Sequence, residues 1–384
     1  IVYWGCALLV GGVIALVADY IAQQWLNPEQ LSRDDLKQAL LIMAMVIALR
    51  WPVALYMGGL NGLQRQVQVN VIFSIVATVQ GVGALSVLWF VEPTIKVFFC
   101  WQVLIALIQV LVLRMALWRS LPREGKKASF DKEVLGRIWR FSAGMSGISL
   151  LATILTQVDK VILSKLLTLS EFGYYTFATT VAAVIFRLVG PIFTAYYPRL
   201  TELVSKGDQS QLVETYHQGC QLMAGIILPL ALVLGFFSTD ILELWTGNPD
   251  VVANTAGLIS LLVIGNALNG LMNLPYALQL AYGWTKLAFI QNVIAVIVLV
   301  PAMYFSTLRW GVYGAAGIWI VLNLGYFLIS IPIMHRYLLK NEKWHWYIYD
   351  VLKPLSAALI FCLAGWIINQ NSMGLTTKIL LMAV

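Results

Sequence analysis

Apolar residues fill this chain in runs of roughly 20, the length that crosses a bilayer as a helix, and short polar stretches punctuate them almost from end to end. Ten complete segments can be read: Ile1 to Gln24, Leu36 to Leu60, Val69 to Phe90, Val97 to Trp118, Phe141 to Leu167, Phe172 to Tyr196, Cys220 to Phe237, Val251 to Tyr276, Leu287 to Phe305 and Gly311 to His335. An eleventh runs from Val351 to Ile368, and a twelfth begins near Thr376 and stops at Val384. The expected fold is all-α: a polytopic membrane protein of about 12 such segments. The first residue already lies inside an apolar run, with no basic n-region and no cleavage pattern. That is not a signal peptide, and it suggests a chain whose first helices are missing.

Within this pattern, the charges inside the spans carry the most information. Arg50, Lys160 and Arg187 sit well inside apolar runs. A charge at mid-bilayer costs at least a few kcal/mol, so such groups mark a pathway or a partner, unless they snorkel or pair internally. Arg114 and Lys165 fall near span ends, where snorkelling is the simpler account.

Polar residues also recur at helical spacing. Ser142, Ser146, Ser149, Thr153, Thr156 and Lys160 follow one another at steps of four, three, four, three and four, which places them on one helix face. Asp159 lies beside that face, about 100 degrees around the helix. Thr176, Thr180, Arg187, Pro191 and Thr194 form a looser second stripe, Asn266, Asn269 and Asn273 a third, and Asn70, Ser74 and Thr78 a fourth. Each stripe alone is explained by hydrogen bonds between helices. Several stripes together with three cations point instead to a water-filled central cavity.

The loops set the orientation and the domain plan. Basic residues gather in the loops after the even-numbered spans: Arg65, then Arg119, Arg123, Lys126, Lys127, Lys132, Arg137 and Arg140, then Arg199 and Lys206, then Lys286, then Arg336, Lys340 and Lys343. The opposite loops are shorter and more acidic, although Arg33, Lys96 and Arg309 fall there. The positive-inside rule makes the basic set cytoplasmic. The longest basic loop divides the chain into an N-terminal lobe (1–118), a cytoplasmic linker (119–140), a C-terminal lobe (141–338) and additional C-terminal helices (351–384). From Phe130 the linker has the spacing of an amphipathic surface helix, although an ordinary linker explains it equally well.

Composition narrows the chemistry. The chain is 60 % hydrophobic and 11 % charged, with a mean hydropathy of +0.81. Its net charge of +7 follows from the loop bias and suits anionic lipid, so it gives no support to nucleic-acid binding. Trp25, Trp118, Trp139, Trp245, Trp284, Trp310, Trp344 and Trp346 stand near span ends, as interfacial anchors do. The four cysteines are scattered without ligand spacing, so neither disulfide nor metal is expected, and no cofactor is implied. His217, His335 and His345 fall at cytoplasmic ends or loops and read as surface residues.

The charges inside the spans favour an anionic substrate. Arg50, Lys160 and Arg187 face only Asp19 and Asp159, and Asp19 lies near the outer end of its span. A cavity for cationic drugs needs spare carboxylates, whereas a phosphate or pyrophosphate head group needs spare Lys and Arg. The stretches TQVDKVILSKLLTLSEFGYYTFATTV and PIFTAYYPRLTELVSKGDQSQLVETYHQ resemble the second half of the polysaccharide flippases, the Wzx-type O-antigen transporters. These belong to the multidrug/oligosaccharidyl-lipid/polysaccharide exporter superfamily. RWPVALYMGGLNGLQRQVQVNVI resembles the matching region of the first half.

The resemblance implies two lobes of helices, commonly twelve or fourteen in all, with Ile1 to Gln24 similar to the third. It implies alternating access around a basic cavity that passes an undecaprenyl-pyrophosphate-linked oligosaccharide across the bacterial inner membrane. Arg50, Lys160, Arg187 and Asp159 stand where that cavity would be, and Asn266, Asn269 and Asn273 join them as candidate substrate-binding residues. The implied partners are the lipid-linked substrate, membrane lipids, a polysaccharide polymerase and a chain-length regulator. A drug/cation antiporter of the same superfamily remains an alternative that fits the architecture but not the sign of the charge. A membrane-embedded polymerase or glycosyltransferase needs a large outer loop or a Mg²⁺-binding acidic cluster, and the loops offer neither, so an enzyme is not expected.

Overall fold

The computed structural model describes residues 2–29, 31–63, 65–121 and 157–371. The stripe from Ser142 to Thr156, most of the linker and the twelfth segment lie outside them. The described residues are almost entirely helical, in two compact units, Ile1–Gly147 and Ile148–Val384.

In the first unit α1 (Val2–Tyr20) runs into a π-helical turn (Ile21–Trp25), followed by α2 (Arg33–Arg50), α3 (Val53–Gly62), α4 (Gln66–Phe90) and α5 (Ile95–Ser120). Local chemistry starts these helices. The Ser32 hydroxyl accepts from the Asp35 amide at 3.0 Å, and Thr94 caps α5 through the Val97 amide. Pro52 stops α2, because it lacks the N–H the helix needs and crowds the preceding turn. Helix α2 packs on α1 and α5, and α4 packs on α5. The cores are small: Ala18, Ala22, Leu36 and Leu40 in one, and Tyr56, Leu60, Val69, Val110, Leu113 and Ala116 in the other. Asp19 binds Lys37 at 2.7 Å, so this carboxylate is committed to a cation at its own end of the span.

The second unit begins with α6, described over 157–166, and continues through α7 (Leu169–Ala182), α8 (Ile185–Lys206), α9 (Gln209–Phe236), α10 (Ser238–Thr246), α11 (Pro249–Leu271), α12 (Asn273–Ala281) and α13 (Lys286–Gly325). A π-helical turn (Tyr326–Ser330) leads to α14 (Ile331–Tyr337), the short α15 (Lys343–His345), a second π-helical turn (Trp346–Leu352) and α16 (Lys353–Asn371). Thr168 and Glu171 form a reciprocal capping box at α7. Helix α11 lies at the centre, packed against α7, α9 and α13, and α16 packs on α9. The core is correspondingly larger and includes Ile227, Leu258, Ala315 and Ile331 at 0 % exposure.

Helix α13 turns at Gly311, whose φ of 57° and ψ of −139° suit glycine. Past the turn, Gly314 comes back against the Ser306 carbonyl; a Cβ on Gly314 would stand 2.3 Å from that oxygen. The 52-residue apolar stretch Lys286–Tyr337 is therefore two antiparallel crossings, the division expected at Gly311. Gly314→Val should destabilise this hairpin by about 1–3 kcal/mol through overpacking, read as lower membrane abundance and melting temperature. Gly317→Ala, where a Cβ meets nothing within 4 Å, should change neither.

Nine helical stretches among the described residues are long and apolar enough to cross a membrane. Their outer faces expose large apolar side chains, such as Leu16, Trp89 and Phe361, a surface suited to lipid rather than water. One sequence expectation needs correction here. Of the three histidines, His345 is exposed, but His217 and His335 are only 6 % and 1 % exposed. They are packed beneath the segment that follows α14.

Candidate functional site

Arg50 is the last residue of α2, just before the interruption made by Pro52. The free carbonyls at that helix end attract a cation. Its Nη2 donates to Gln80 Oε1 at 3.0 Å and to Gln102 Oε1 at 3.3 Å. Gln80 Nε2 donates to Gln102 Oε1 at 2.8 Å, and Trp101 Nε1 donates to the Gln80 carbonyl at 3.1 Å. Both partners of Arg50 are neutral amides, so they orient the guanidinium without cancelling its charge. The group stays exposed, and among the described residues only Nη2 is engaged, which leaves further N–H donors for an anion. Sequence reading did not single out Gln80 and Gln102. The available signal was two amides inside otherwise apolar runs.

In the second unit Arg187 stands in the first turn of α8, after a break at residues 183 and 184. It is about halfway along the 38-residue stretch Leu169–Lys206. A cation gains nothing from a helix N-terminus, where the dipole is positive. The Phe186 and Arg187 amides bond back to the Ala183 and Val184 carbonyls at 3.0 Å, so the guanidinium alone offers charge here. Thr180, Arg187, Pro191 and Thr194 are all exposed, which keeps the second stripe on the surface of the unit. The Thr180 and Thr194 hydroxyls bond back to the Thr176 and Pro191 carbonyls.

Asp159 and Lys160 point apart, as neighbours on a helix do. Lys160 Nζ donates to Gln157 Oε1 at 2.8 Å. Asp159 Oδ2 accepts from the Tyr175 hydroxyl at 3.4 Å, and its Oδ1 is buried with no partner among the described residues. Among the described residues no carboxylate forms an ion pair with Arg50, Lys160 or Arg187.

The asparagine stripe is used differently. Asn266 is 5 % exposed and accepts from Trp319 Nε1 at 2.9 Å. Asn269 Nδ2 donates to Asn323 Oδ1 at 2.8 Å, and Asn323 Nδ2 donates to the Trp319 carbonyl at 2.8 Å. Asn273 Nδ2 donates back to the carbonyls of Asn269 and Gly270 across the break between α11 and α12. The structure thus places Asn266 and Asn269 in the seam between α11 and α13, and Asn273 at a helix junction. Hydrogen bonding within the helix packing accounts for all three.

The family profile described as polysaccharide biosynthesis protein matches residues 2–204. The chain belongs to that family. The MatE profile matches residues 145–305. A curated Shigella flexneri protein named "Putative O-antigen transporter" is 21 % identical over 310 residues, covering 80 % of this chain and 72 % of its own length. Among solved structures, the lipid II flippase MurJ in an inward closed conformation matches with a TM-score of 0.73 and 15 % identity, over 100 % of this chain and 81 % of that one. An inward-facing multidrug resistance transporter of the MATE family and MOP superfamily matches with a TM-score of 0.62 and 12 % identity, over 87 % of this chain and 80 % of its own. The family member described here therefore has the helical fold seen in flippases and multidrug transporters of that superfamily. It is a multi-pass membrane protein whose relatives are transporters rather than enzymes.

Proposed function

We propose that this protein is a flippase that carries an undecaprenyl-pyrophosphate-linked oligosaccharide, an O-antigen or similar repeat unit, across the bacterial inner membrane by alternating access. The observation that carries this reading is Arg50: an exposed guanidinium within an apolar span, held by two neutral amides at a helix break and without an ion-pair partner among the described residues. Interrupted membrane helices commonly form substrate sites in secondary transporters. In this reading each unit presents cations to the diphosphate during transit, Arg50 in the first and Lys160 and Arg187 in the second, where Asp159 stands beside Lys160. Family membership and the Shigella relative support the polysaccharide substrate. A polymerase and a chain-length regulator are the natural partners. The commitment of Asp19 to Lys37 weighs against a cationic-drug site.

The direct test is to delete the gene and follow the lipid-linked oligosaccharide. Loss of surface polysaccharide with retention of the lipid-linked unit on the cytoplasmic leaflet is the expected result, reversed by the intact gene. Unchanged surface polysaccharide overturns the proposal.

The orientation has its own test. In a background lacking the exposed Cys6 and Cys100, single cysteines at Ser129 and Gly247 should label from opposite sides of the membrane, with Ser129 cytoplasmic. Labelling of both from outside overturns the orientation.

A further inference from the structure

The chain has three histidines in 384 residues, and all three gather in one cluster within the second unit. The His217 and His345 rings are 4.3 Å apart between centroids, and the His335 ring lies 5.8 Å from Tyr216, the neighbour of His217. Asp350 stands with them at 0 % exposure. His217 Nδ1 contacts Asp350 Oδ2, and His345 Nε2 lies 4.0 Å from Asp350 Oδ1. One ligand atom each from His217, His345 and Asp350 lie within 4.8 Å of one another.

We propose that His217, His345 and Asp350 form a binding site for a borderline divalent cation of the Zn²⁺ type. Two imidazoles and a carboxylate are a common zinc donor set. Ligands about 2.1 Å from a tetrahedral centre stand about 3.4 Å apart, so the cluster needs only small rotations, and exposed His345 is free to make them. The surroundings are those of a metal site. His217 Nε2 faces Glu342 Oε2 at 3.1 Å, giving the carboxylate–histidine–metal order that fixes a ligand's tautomer. Gln221 Nε2 holds Asp350 Oδ1 at 2.9 Å, anchoring the carboxylate. His335 is occupied elsewhere: its Nε2 meets the Tyr216 hydroxyl at 3.3 Å and its Nδ1 the Ile331 carbonyl at 3.0 Å.

Charge points the same way. Asp350 is wholly buried, and no Lys or Arg pairs with it or with Glu342 among the described residues. A buried carboxylate is stabilised by a positive partner. Among the described residues only His217, which contacts both Asp350 and Glu342, and His345, 4.0 Å from Asp350, could supply it, and a dication bound here would balance both carboxylates. The backbone is shaped for the purpose. His345 and Asp350 are five residues apart, a spacing that an α-helix places on different faces. The π-helical turn Trp346–Leu352 closes on i→i+5 bonds and stacks them. Bound metal would pin the start of the Lys343–Asn369 span to α9.

The test uses the full chain, purified without a histidine tag, stripped with EDTA and reloaded with Zn²⁺ or Co²⁺. One zinc per chain, visible Co²⁺ d–d bands and a melting temperature raised by Zn²⁺ and reversed by EDTA are expected. His345→Ala removes ring contacts with His217 and Tyr349 but no hydrogen bond among the described residues, so it should lower the metal-free melting temperature only slightly while weakening Zn²⁺ binding by about tenfold or more. Asp350→Asn should abolish the Co²⁺ bands. Wild-type protein that takes up no zinc and shows no Co²⁺ bands overturns the site, as does full zinc retention by His345→Ala. None of these readouts depends on transport.

Discussion

Arg50→Gln should lower transport roughly tenfold or more without lowering the amount of protein in the membrane. A charge-assisted contact to a phosphate is worth about 1.5–3 kcal/mol, and each 1.36 kcal/mol is a factor of about ten in rate. The protein level should hold because Gln80 and Gln102 are neutral amides that also bond each other, so the change leaves no charge unpaired. Arg50→Lys keeps the charge but loses the fork, so it should retain partial activity. Arg187→Gln should behave like Arg50→Gln, since Arg187 has no ion-pair partner among the described residues whose loss would unsettle the fold. The measurement is surface polysaccharide in a deletion strain complemented with each variant, alongside membrane abundance by immunoblot. Full transport by Arg50→Gln at normal abundance removes Arg50 from the substrate path.

The parts of the structure legible in the sequence are those written in local chemistry. Apolar run length set the spans, the division at Gly311 followed from it, and the positions of Arg50 and Arg187 within those spans could be read directly, whereas the break at Pro52 fell inside the run read as Leu36 to Leu60. What was hidden lies between elements. The spacing of Asn266, Asn269 and Asn273 was legible, but spacing cannot reveal that Trp319 and Asn323 on α13 meet the first two, or that Asn273 falls past a helix break. Gln80 and Gln102 lie on different helices, and only the pairing of α4 with α5 brings them to Arg50. The histidine cluster was missed for a sharper reason. A 3.6-residue period separates His345 from Asp350, and the π-helical turn that joins them leaves no mark in the pattern of apolar and polar positions.

Lys160→Gln should also stop surface polysaccharide without lowering protein level, and changing Asp159 at the same time should not restore it. The opposing account is that Lys160 serves only to neutralise Asp159. A buried ion pair broken on one side leaves an uncompensated charge that costs about 3–5 kcal/mol, so under that account each single change depletes the protein and Asp159→Asn with Lys160→Gln recovers it. The geometry favours independence. Lys160 Nζ is engaged by Gln157 and Asp159 Oδ2 by Tyr175, with no ion pair between the two neighbours. Independent groups give additive effects, whereas paired groups give a coupling energy of about 0.5–3 kcal/mol. The double variant should therefore be as inactive as Lys160→Gln alone, and Lys160→Arg should keep part of the activity because the charge survives. Complementation and membrane abundance, measured for the two single variants and the double, complete the cycle. Recovery of both in the double variant would reduce Lys160 to a folding partner and remove it from the proposed substrate path.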